Sequence, residues 1–358
     1  MKQKDKKRKA IYTGRLKNID LPGIEVLDEI LDEERVSNEY KTARIAGKRD
    51  KTFKSGLTLK KGRVMAVMSN YQCQVQIQDE QVTASIGGRL KQFLYQSTTL
   101  LAVGDYVEVD MSLAPDYRIE NILPRKNRLS RYDSGSFQKE ILVAANIDQL
   151  VITSSWRMPM YKPGLIDRYL ILAAIHQVKP LIVVNKIDLC EDFEELEEGI
   201  AYYQESGFKV ILTSTVTNAG IAELKAELKD KDSVFSGHSG AGKSSLINCL
   251  QPGLKLITAE VSDFNEKGKH TTTQATMLPW DFGGHLIDTP GIKTAYLNRK
   301  DIDILPKVFP GFDRYYPACS YRDCSHIQEE GCAVLQAMES GEIDPERYES
   351  YRWIMDNL

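Results

Sequence analysis

The sequence predicts a multidomain protein with an N-terminal β-barrel, a central α/β domain and a C-terminal, mainly α-helical module. Three observations support this. Short alternating strands follow residue 56, strand and helix patterns alternate after residue 131, and three of the six cysteines lie within 319–332. With 358 residues, 42% of them hydrophobic and 27% charged, the chain is long enough to build several cores. We predict the divisions 1–57, 58–131, 132–296 and 297–358.

The predicted compartment is the cytoplasm, without membrane contact. No apolar run approaches the roughly 18–20 residues of a membrane span. The N-terminus is basic but lacks the apolar segment of a secretory signal. Because no secretory signal is seen, the clustered cysteines favour metal binding over a disulfide framework.

The N-terminal extension, 1–57, changes sign of charge along its length. Residues 1–18 hold eight Lys or Arg against one Asp, 19–34 are acidic, and 41–54 are basic again. Such blocks usually stay flexible or fold on a partner. Two interpretations stay open: a solvated tail, or an arm that binds nucleic-acid phosphates with salt-dependent affinity.

Five short stretches with strand-like alternation follow the extension, with turn residues between them. They are Gly62–Val67, Tyr71–Ile77, Val82–Ile86, Val103–Val109 and Tyr117–Ile122. Five such strands favour a small closed barrel of the oligonucleotide-binding type, the OB-fold. Basic residues are expected at its edges: Arg89, Lys91, Arg125, Lys126, Arg128 and Arg131. An SH3-like barrel without a ligand is the alternative.

After residue 131, buried strands alternate with helices, which is typical of a parallel sheet covered by helices. We expect strands at Ile147–Thr153, Pro180–Val184 and Lys209–Leu212. The expected helices are Leu165–Ala174 and Ala222–Leu228. The pattern therefore predicts an α/β domain.

A glycine-rich loop between a short apolar strand and a helix is the central motif of this domain. It matches the G-x-x-x-x-G-K-[ST] pattern in full, with a further serine after it: Gly237, His238, Ser239, Gly240, Ala241, Gly242, Lys243, Ser244 and Ser245. The glycines let backbone N–H groups turn toward a triphosphate, and the helix N-terminus adds its positive dipole end. Lys243 is expected to reach the β- and γ-phosphates, and Ser244 to bind Mg²⁺. A glycine-rich loop that binds nothing is the alternative.

Two further motifs indicate the base. Asn185-Lys186-Ile187-Asp188 follows the second predicted strand and has the N-K-x-D pattern of guanine recognition. The Asp188 carboxylate can accept from N1–H and from the 2-amino group of guanine, whereas adenine offers no such donor pair. Ser214, in the loop after the next strand, fits the Ser-Ala loop that backs the base, with Thr215 in place of alanine. The motifs predict GTP and GDP as ligands, rather than ATP.

Two segments after the phosphate loop complete the predicted nucleotide site. Asp288–Gly291 is a D-x-x-G element, in which Asp288 would bind Mg²⁺ through water and the Gly291 N–H would contact the γ-phosphate. One hydroxyl of Thr271–Thr273 is expected to close on Mg²⁺, and Thr272 is our candidate.

The order of these motifs is informative. An ordinary GTPase domain starts with the phosphate loop, whereas here N-K-x-D and the Ser214 loop precede it. Because domain termini lie close together and exposed loops tolerate a cut, the same fold can be circularly permuted. The D-x-x-G segment then leads directly into the C-terminal module. We hypothesise that the γ-phosphate controls movement of that module.

The C-terminal module carries three cysteines and a histidine at close spacing: Cys319, Cys324, His326 and Cys332. These side chains can complete a tetrahedral, structural Zn²⁺ site, and reduced cysteines beside an unrelated histidine are the alternative. Helical patterns flank the cluster at Lys300–Val308, Ala333–Met338 and Pro345–Met355. For the tyrosines nearby we favour packing in the core over stacking on RNA.

A barrel, a permuted GTPase domain and a Cys-x4-Cys-x-His-x5-Cys module resemble the bacterial ribosome small-subunit-dependent GTPase A family, over about residues 58–358. The resemblance implies a GTPase that binds the 30S subunit and its 16S rRNA late in assembly and is strongly stimulated by it. It places phosphate on Gly237–Ser244, guanine on Asn185, Lys186 and Asp188, and one structural Zn²⁺ on the C-terminal ligands. Lys269 departs from the arginine usual in the family. We also expect a monomer.

The resemblance leaves the water-positioning group open. Ile292 follows Gly291 where Ras-type enzymes have a glutamine, and an apolar side chain cannot position water. Besides Lys243, His270 is therefore our candidate catalytic residue, and packing of the switch is its alternative role. Hydrolysis by the chain alone is expected to be slow until docking orders the switch. Two competing functions are a nucleotide-sensing RNA-binding assembly factor with negligible turnover, and a GTPase that acts on tRNA or mRNA.

Overall fold

The computed structural model describes residues 57–68, 72–91, 100–112, 114–133, 136–254, 275–288 and 297–358. Gly56–Leu358 forms one compact unit, and residues 1–55 lie outside the described part of the chain. The prediction of an extension over 1–57 is therefore almost wholly outside the description. No helix in the described part of the chain is long and apolar enough to cross a membrane.

The N-terminal barrel has five strands: β1 (Leu59–Val67), β2 (Gln72–Ile77), β3 (Glu80–Ile86), β4 (Tyr106–Asp110) and β5 (Tyr117–Ile122). A short helix α1 (Gly88–Lys91) follows β3. The strands pair in the order β1-β2-β3-β5-β4, and a β1–β4 pairing closes the barrel. The β3–β5 pairing is parallel, so the chain crosses over instead of running as a simple meander. This confirms the predicted five-stranded barrel.

Apolar side chains from alternate positions of the strands fill the interior of the barrel. Val64, Val75, Val107 and Ile119 are fully buried and belong to one cluster, since every second residue of a strand points to the same face. Arg125, predicted at a basic edge, instead makes a two-pronged contact with the buried carboxylate of Asp105, at 2.6 and 2.9 Å. The positive charge of Arg125 is therefore paired with a buried carboxylate within the barrel.

A two-stranded ribbon that the sequence did not predict follows the barrel: β6 (Arg128–Asp133) and β7 (Ser136–Ala145). Two of its residues, Arg128 and Arg131, are those that the sequence predicts at the barrel edge. The predicted division after residue 131 lies within this ribbon. Asn127 anchors it, because its amide donates to the Ile147 carbonyl and accepts from the Ile147 N–H, both at 2.8 Å.

The α/β domain contains six strands: β8 (Gln149–Ser155), β9 (Lys179–Asn185), β10 (Val210–Leu212), β11 (Lys231–Ser236), β12 (Thr276–Pro279) and β13 (Gly284–Asp288). Its described helices are α2 (Pro163–Ile175), α3 (Phe193–Glu205), α4 (Ile221–Leu228) and α5 (Lys243–Leu250). The strand order is β10-β9-β8-β11-β13-β12, parallel except for the antiparallel β12. The predicted α/β domain is confirmed.

Helices cover both faces of this sheet. Every residue of β8 is buried, as expected for a central parallel strand. Side chains of α2 and α3, among them Ile166 and Tyr203, pack on one side, and those of α4 and α5, among them Leu224 and Leu246, form a second cluster. The strands of a parallel sheet end at a common edge, so the loops after β8, β9, β10 and β11 meet there, and β13 ends at the same edge.

The barrel and the α/β domain share one sheet. Strand β1 pairs with β12 through Ala66 and Thr276, which gives a continuous sheet of eleven strands in the described chain. An ion pair reinforces the junction, because Arg63 contacts Asp232 at 2.5 Å and His285 lies 2.7 Å from the other oxygen of that carboxylate. The barrel therefore has a defined orientation relative to the sheet.

The C-terminal module contains α6 (Leu305–Val308), α7 (Ala333–Glu339) and α8 (Pro345–Asp356), with 3-10 turns at Arg299–Asp301 and Tyr316–Ala318. The helical pattern expected over Lys300–Val308 is divided in the structure, because Asn298 caps a separate 3-10 turn and Pro306 lies in the first turn of a new helix. Tyr351 is fully buried against Phe309 and Phe312, which confirms the core interpretation for that tyrosine.

Candidate nucleotide site and metal centre

The predicted nucleotide motifs meet at the carboxyl edge of the parallel strands. Asn185 ends β9, Ser214 follows β10, Gly237 follows β11 and Asp288 ends β13. Ligands of open α/β sheets bind outside this edge. His270, Thr272 and Gly291 lie outside the described residues, so the roles predicted for them stay predictions.

The glycines of the phosphate loop are required by its backbone. Gly237 has φ +140° and Gly242 has φ +91°, in the region that side chains rarely adopt. A Cβ at Gly242 would lie 2.2 Å from Asn185 Nδ2, and one at Gly237 would lie 2.0 Å from the Thr153 carbonyl oxygen. Helix α5 begins at Lys243, directly after this loop, so its first N–H groups face the loop. This is the geometry of a phosphate cradle.

Positive charge converges on the loop. Lys243 Nζ donates to the carbonyls of Gly237 and His238, at 2.7 and 2.8 Å, which holds the ammonium group over the loop. Burial lowers the pKa of His238, and so do the charges of Lys243, Lys162 and Lys186, against a raising hydrogen bond to Ser239. The lowered pKa favours the neutral imidazole, and the three neighbouring ammonium groups make this an environment suited to an anionic ligand.

The Asn185 side chain links three loops by hydrogen bonds. Its buried amide donates to the Ala241 carbonyl in the phosphate loop at 3.1 Å and accepts from the Thr213 hydroxyl at 3.2 Å. The guanine contact predicted for Asn185 stays a prediction. The structure shows in addition that this side chain bonds to protein groups in two neighbouring loops.

Asp188 is exposed at the rim of the site and has a defined orientation. It accepts a hydrogen bond from the buried Ser214 hydroxyl, which in turn accepts from the N–H groups of Val216 and Thr217, both at 3.1 Å. Those two donors leave the hydroxyl proton of Ser214 to point at the carboxylate. Lys186 has a left-handed backbone and donates from Nζ to the Met158 carbonyl.

Asp288 lies half-buried at the end of β13. Burial raises the pKa of this carboxylate, and a divalent cation beside it would counteract that effect. Ser244 follows Lys243 in the first turn of α5, partly buried. The two side chains have the chemistry of an Mg²⁺ site, since Mg²⁺ prefers oxygen ligands.

The four predicted metal ligands come together in the C-terminal module. Their donor atoms all lie within 4.8 Å of one another: Cys319, Cys324, His326 and Cys332. Cys319 Sγ is 4.0 Å from Cys332 Sγ, and His326 Nδ1 is 3.3 Å from Cys332 Sγ. Tetrahedral Zn²⁺ with bonds of about 2.3 Å separates two sulfurs by roughly 3.8 Å, so the donor set fits this ion.

The surroundings orient these ligands. His326 Nε2 lies 3.1 Å from the Pro306 carbonyl, so Nε2–H donates there and Nδ1 is the nitrogen that faces the cysteines and could bind a metal. Burial raises the pKa of Cys324 to about 12, so a thiolate at this position requires a positive charge such as a metal.

Glu329 is a structural residue of this centre that the sequence did not reveal. It accepts from the Ser325 N–H at 2.7 Å, and also from the Ile327 and Gln328 N–H groups at 2.9 and 3.1 Å. Burial would raise its pKa, but these bonds and one from the Ser325 hydroxyl outweigh it and lower the pKa to about 2. No local pattern distinguishes Glu329 from its exposed neighbour Glu330.

Comparison with known proteins agrees with this geometry. The RsgA GTPase family model matches residues 122–298. A small ribosomal subunit biogenesis GTPase RsgA from Chlorobaculum parvum is 42% identical over 273 residues, which cover 74% of this chain and 87% of the relative.

Solved structures show the same architecture. The crystal structure of YjeQ from Thermotoga maritima superposes with a TM-score of 0.67 at 32% identity, covering 84% of this chain and 99% of that one. The structure of YloQ, described as a circularly permuted GTPase, superposes with a TM-score of 0.64 at 26% identity, covering 84% and 95%. The strand order and motif order described above are therefore those of a permuted GTPase domain. The chain belongs to the RsgA GTPase family and is a GTP-hydrolysing enzyme.

Proposed function

We propose that this GTPase acts in late maturation of the small ribosomal subunit in the cytoplasm, as a monomer that binds 16S rRNA and is stimulated by the 30S subunit. The observation that carries the proposal is the 42% identity to a protein named for small-subunit biogenesis, supported by the nucleotide motifs at one edge of the described sheet. The barrel supports an RNA partner, because oligonucleotide-binding barrels use their strand faces for this purpose.

We assign the site residues as follows. The loop Gly237–Ser245 binds the phosphates, Lys243 neutralises the β- and γ-phosphates, and Ser244 and Asp288 hold Mg²⁺, with Thr272 closing on it. Asp188, oriented by Ser214, reads the guanine edge, and Lys186 lies beside the base. Asn185 holds the loops together. The Gly291 N–H contacts the γ-phosphate.

Hydrolysis requires a group that positions water, and His270 is our candidate. It belongs to the predicted switch, which subunit docking would order. Docking that holds a catalytic group in place raises the rate without added chemistry, since the catalytic geometry is reached more often.

Steady-state GTP hydrolysis tests this function. The purified protein is expected to hydrolyse GTP slowly alone and to be strongly stimulated by 30S subunits, but not by 50S subunits or naked rRNA.

A His270→Ala variant is expected to lose the stimulated rate of GTP hydrolysis while keeping GTP affinity. Absence of stimulation by any partner, with GTP binding intact, would favour an RNA-binding factor that senses nucleotide, and stimulation by free tRNA or mRNA would move the substrate away from the ribosome.

We further propose that Cys319, Cys324, His326 and Cys332 bind one structural Zn²⁺, with all four coordination positions taken by protein side chains.

Substitution of Glu329 tests whether the loop around this centre supports metal binding. In Glu329→Gln, the amide –NH₂ group faces N–H donors, so we expect the affinity for Zn²⁺ to fall roughly 10-fold. Titration against a chromogenic chelator measures it.

Glu330→Gln is the matched control, since Glu330 is the exposed neighbour and should bind Zn²⁺ normally. The pKa of Glu329 is lowered from 4.5 to about 2 in the fold, so its contribution is complete above its unfolded value and is lost as pH falls toward 2. The difference between the variants should therefore be constant from about pH 6.5 to 8.5. Equal affinities would exclude the role.

A further inference from the structure

Helix α2 is held by the C-terminal module on one side. The fully buried Asp167 of α2 accepts from Arg347 at 3.0 Å and from the Ser350 hydroxyl at 2.7 Å, both on α8. Tyr203 of α3 donates to the same carboxylate at 2.8 Å. A buried carboxylate is stable only with such partners, so the position of α8 and that of α2 are linked.

The opposite side of α2 contacts the phosphate loop. Tyr169, two residues after Asp167, is fully buried, and its hydroxyl makes hydrogen bonds with the Ser236 side chain and the Gly237 backbone. Residues two apart on a helix point in nearly opposite directions. Gly237 is the first residue of the phosphate loop, so Tyr169 restrains the point where the chain leaves β11.

The segment before α2 contacts the same loop. The Pro159 ring lies 3.3 Å from where a Cβ at Gly240 would be placed, and the Met158 carbonyl accepts from Lys186. Ser155 fixes this segment by donating to the Pro159 carbonyl at 2.8 Å. Helix α2 and the residues leading into it therefore touch both the phosphate loop and the guanine loop.

We propose that the Tyr169 hydroxyl is a positioning group for the phosphate loop, and that the C-terminal module fixes it through the Asp167–Arg347 contact on the same helix. The inference deepens the proposed function and rests only on guanine-nucleotide binding by the loop. The module thus influences nucleotide affinity by a route that does not pass through the switch. By reciprocity, nucleotide binding must stabilise the seating of α8.

Tyr169→Phe tests the positioning role. It removes one hydroxyl and leaves the Gly237 N–H and Ser236 without that partner, so GDP binding is expected to weaken roughly fivefold to tenfold. Tyr161→Phe is the matched control, because the Tyr161 hydroxyl donates to the Gly199 carbonyl on α3, and its GDP affinity should be unchanged. Zinc content and melting temperature of each variant establish that the fold is intact.

Ser236→Ala gives an independent second variant. If Tyr169 acts through Ser236 and Gly237, the fold-loss of GDP affinity in the double variant should be smaller than the product of the fold-losses in Tyr169→Phe and Ser236→Ala. Wild-type GDP affinity in Tyr169→Phe, or fully multiplicative losses with Ser236→Ala, would overturn the positioning role.

Hydrogen exchange tests the link to the module without ribosomes, so failure here is distinguishable from failure of the 30S assay. GDP is expected to slow amide exchange in α8 of the wild-type protein, and Tyr169→Phe should reduce that protection. Ser350→Ala, which removes one partner of Asp167, should weaken GDP binding by a smaller factor. If GDP leaves exchange in α8 unchanged and Ser350→Ala binds GDP normally, the link is wrong.

Discussion

Asp188→Asn is expected to lower the affinity for GTP at least roughly 100-fold and to create affinity for xanthosine triphosphate. The asparagine amide oxygen still accepts from N1–H, but its –NH₂ group faces the 2-amino group of guanine, donor against donor. Xanthine carries a carbonyl oxygen at that position, which accepts from –NH₂. Competition binding with labelled GDP measures both affinities.

Asp192→Asn is the control for this exchange. Asp192 is a neighbouring carboxylate that caps α3 by accepting from the Glu194 and Glu195 N–H groups at 2.9 and 3.3 Å. Its asparagine variant should keep guanine preference. Unchanged preference for GTP over xanthosine triphosphate in Asp188→Asn would show that Asp188 does not read the base.

Arg347→Met is expected to destabilise the C-terminal module by about 3–5 kcal/mol. The substitution keeps the aliphatic length but leaves the carboxylate of Asp167 buried without its cation, at 0% exposure. Ser350 and Tyr203 still donate to this carboxylate, but neither supplies a positive charge. Urea unfolding of the zinc-loaded protein, followed by tryptophan fluorescence, measures the change, since one of the three tryptophans, Trp353, lies on α8 with Arg168 4.6 Å from its ring.

The double variant Asp167→Leu with Arg347→Met separates lost charge from lost packing. Removing both partners is expected to recover most of the stability, because the cost in the single variant comes from an uncompensated charge. If the double variant is as unstable as the single one, the contact matters through shape, and the electrostatic account fails.

Much of the fold was predictable because its signals are local. The barrel strands and the central strands alternate or form apolar runs, and each predicted one matched an observed strand within a few residues. The ribbon β6–β7 was missed because β6 places Arg128, Arg131 and Asp133 around the buried Leu129 and so shows no regular apolar alternation, which left the apolar end of β7 without a recognisable partner. The helical pattern over Lys300–Val308 is split into a 3-10 turn and a short helix, because Pro306 has no backbone N–H to continue the first turn and starts a new helix.

The sequence by itself determined which chemistry is present: a phosphate loop, a guanine motif, a D-x-x-G element and a Cys3His set, each contiguous or closely spaced. Their order also revealed the permutation. Only the tertiary structure decided that Asn185 ties loops, that Glu329 supports the metal loop, and that Asp167 meets Arg347, 180 positions away. Spacing along a chain encodes contacts within a turn or a strand, whereas contacts between distant segments depend on how the finished elements pack.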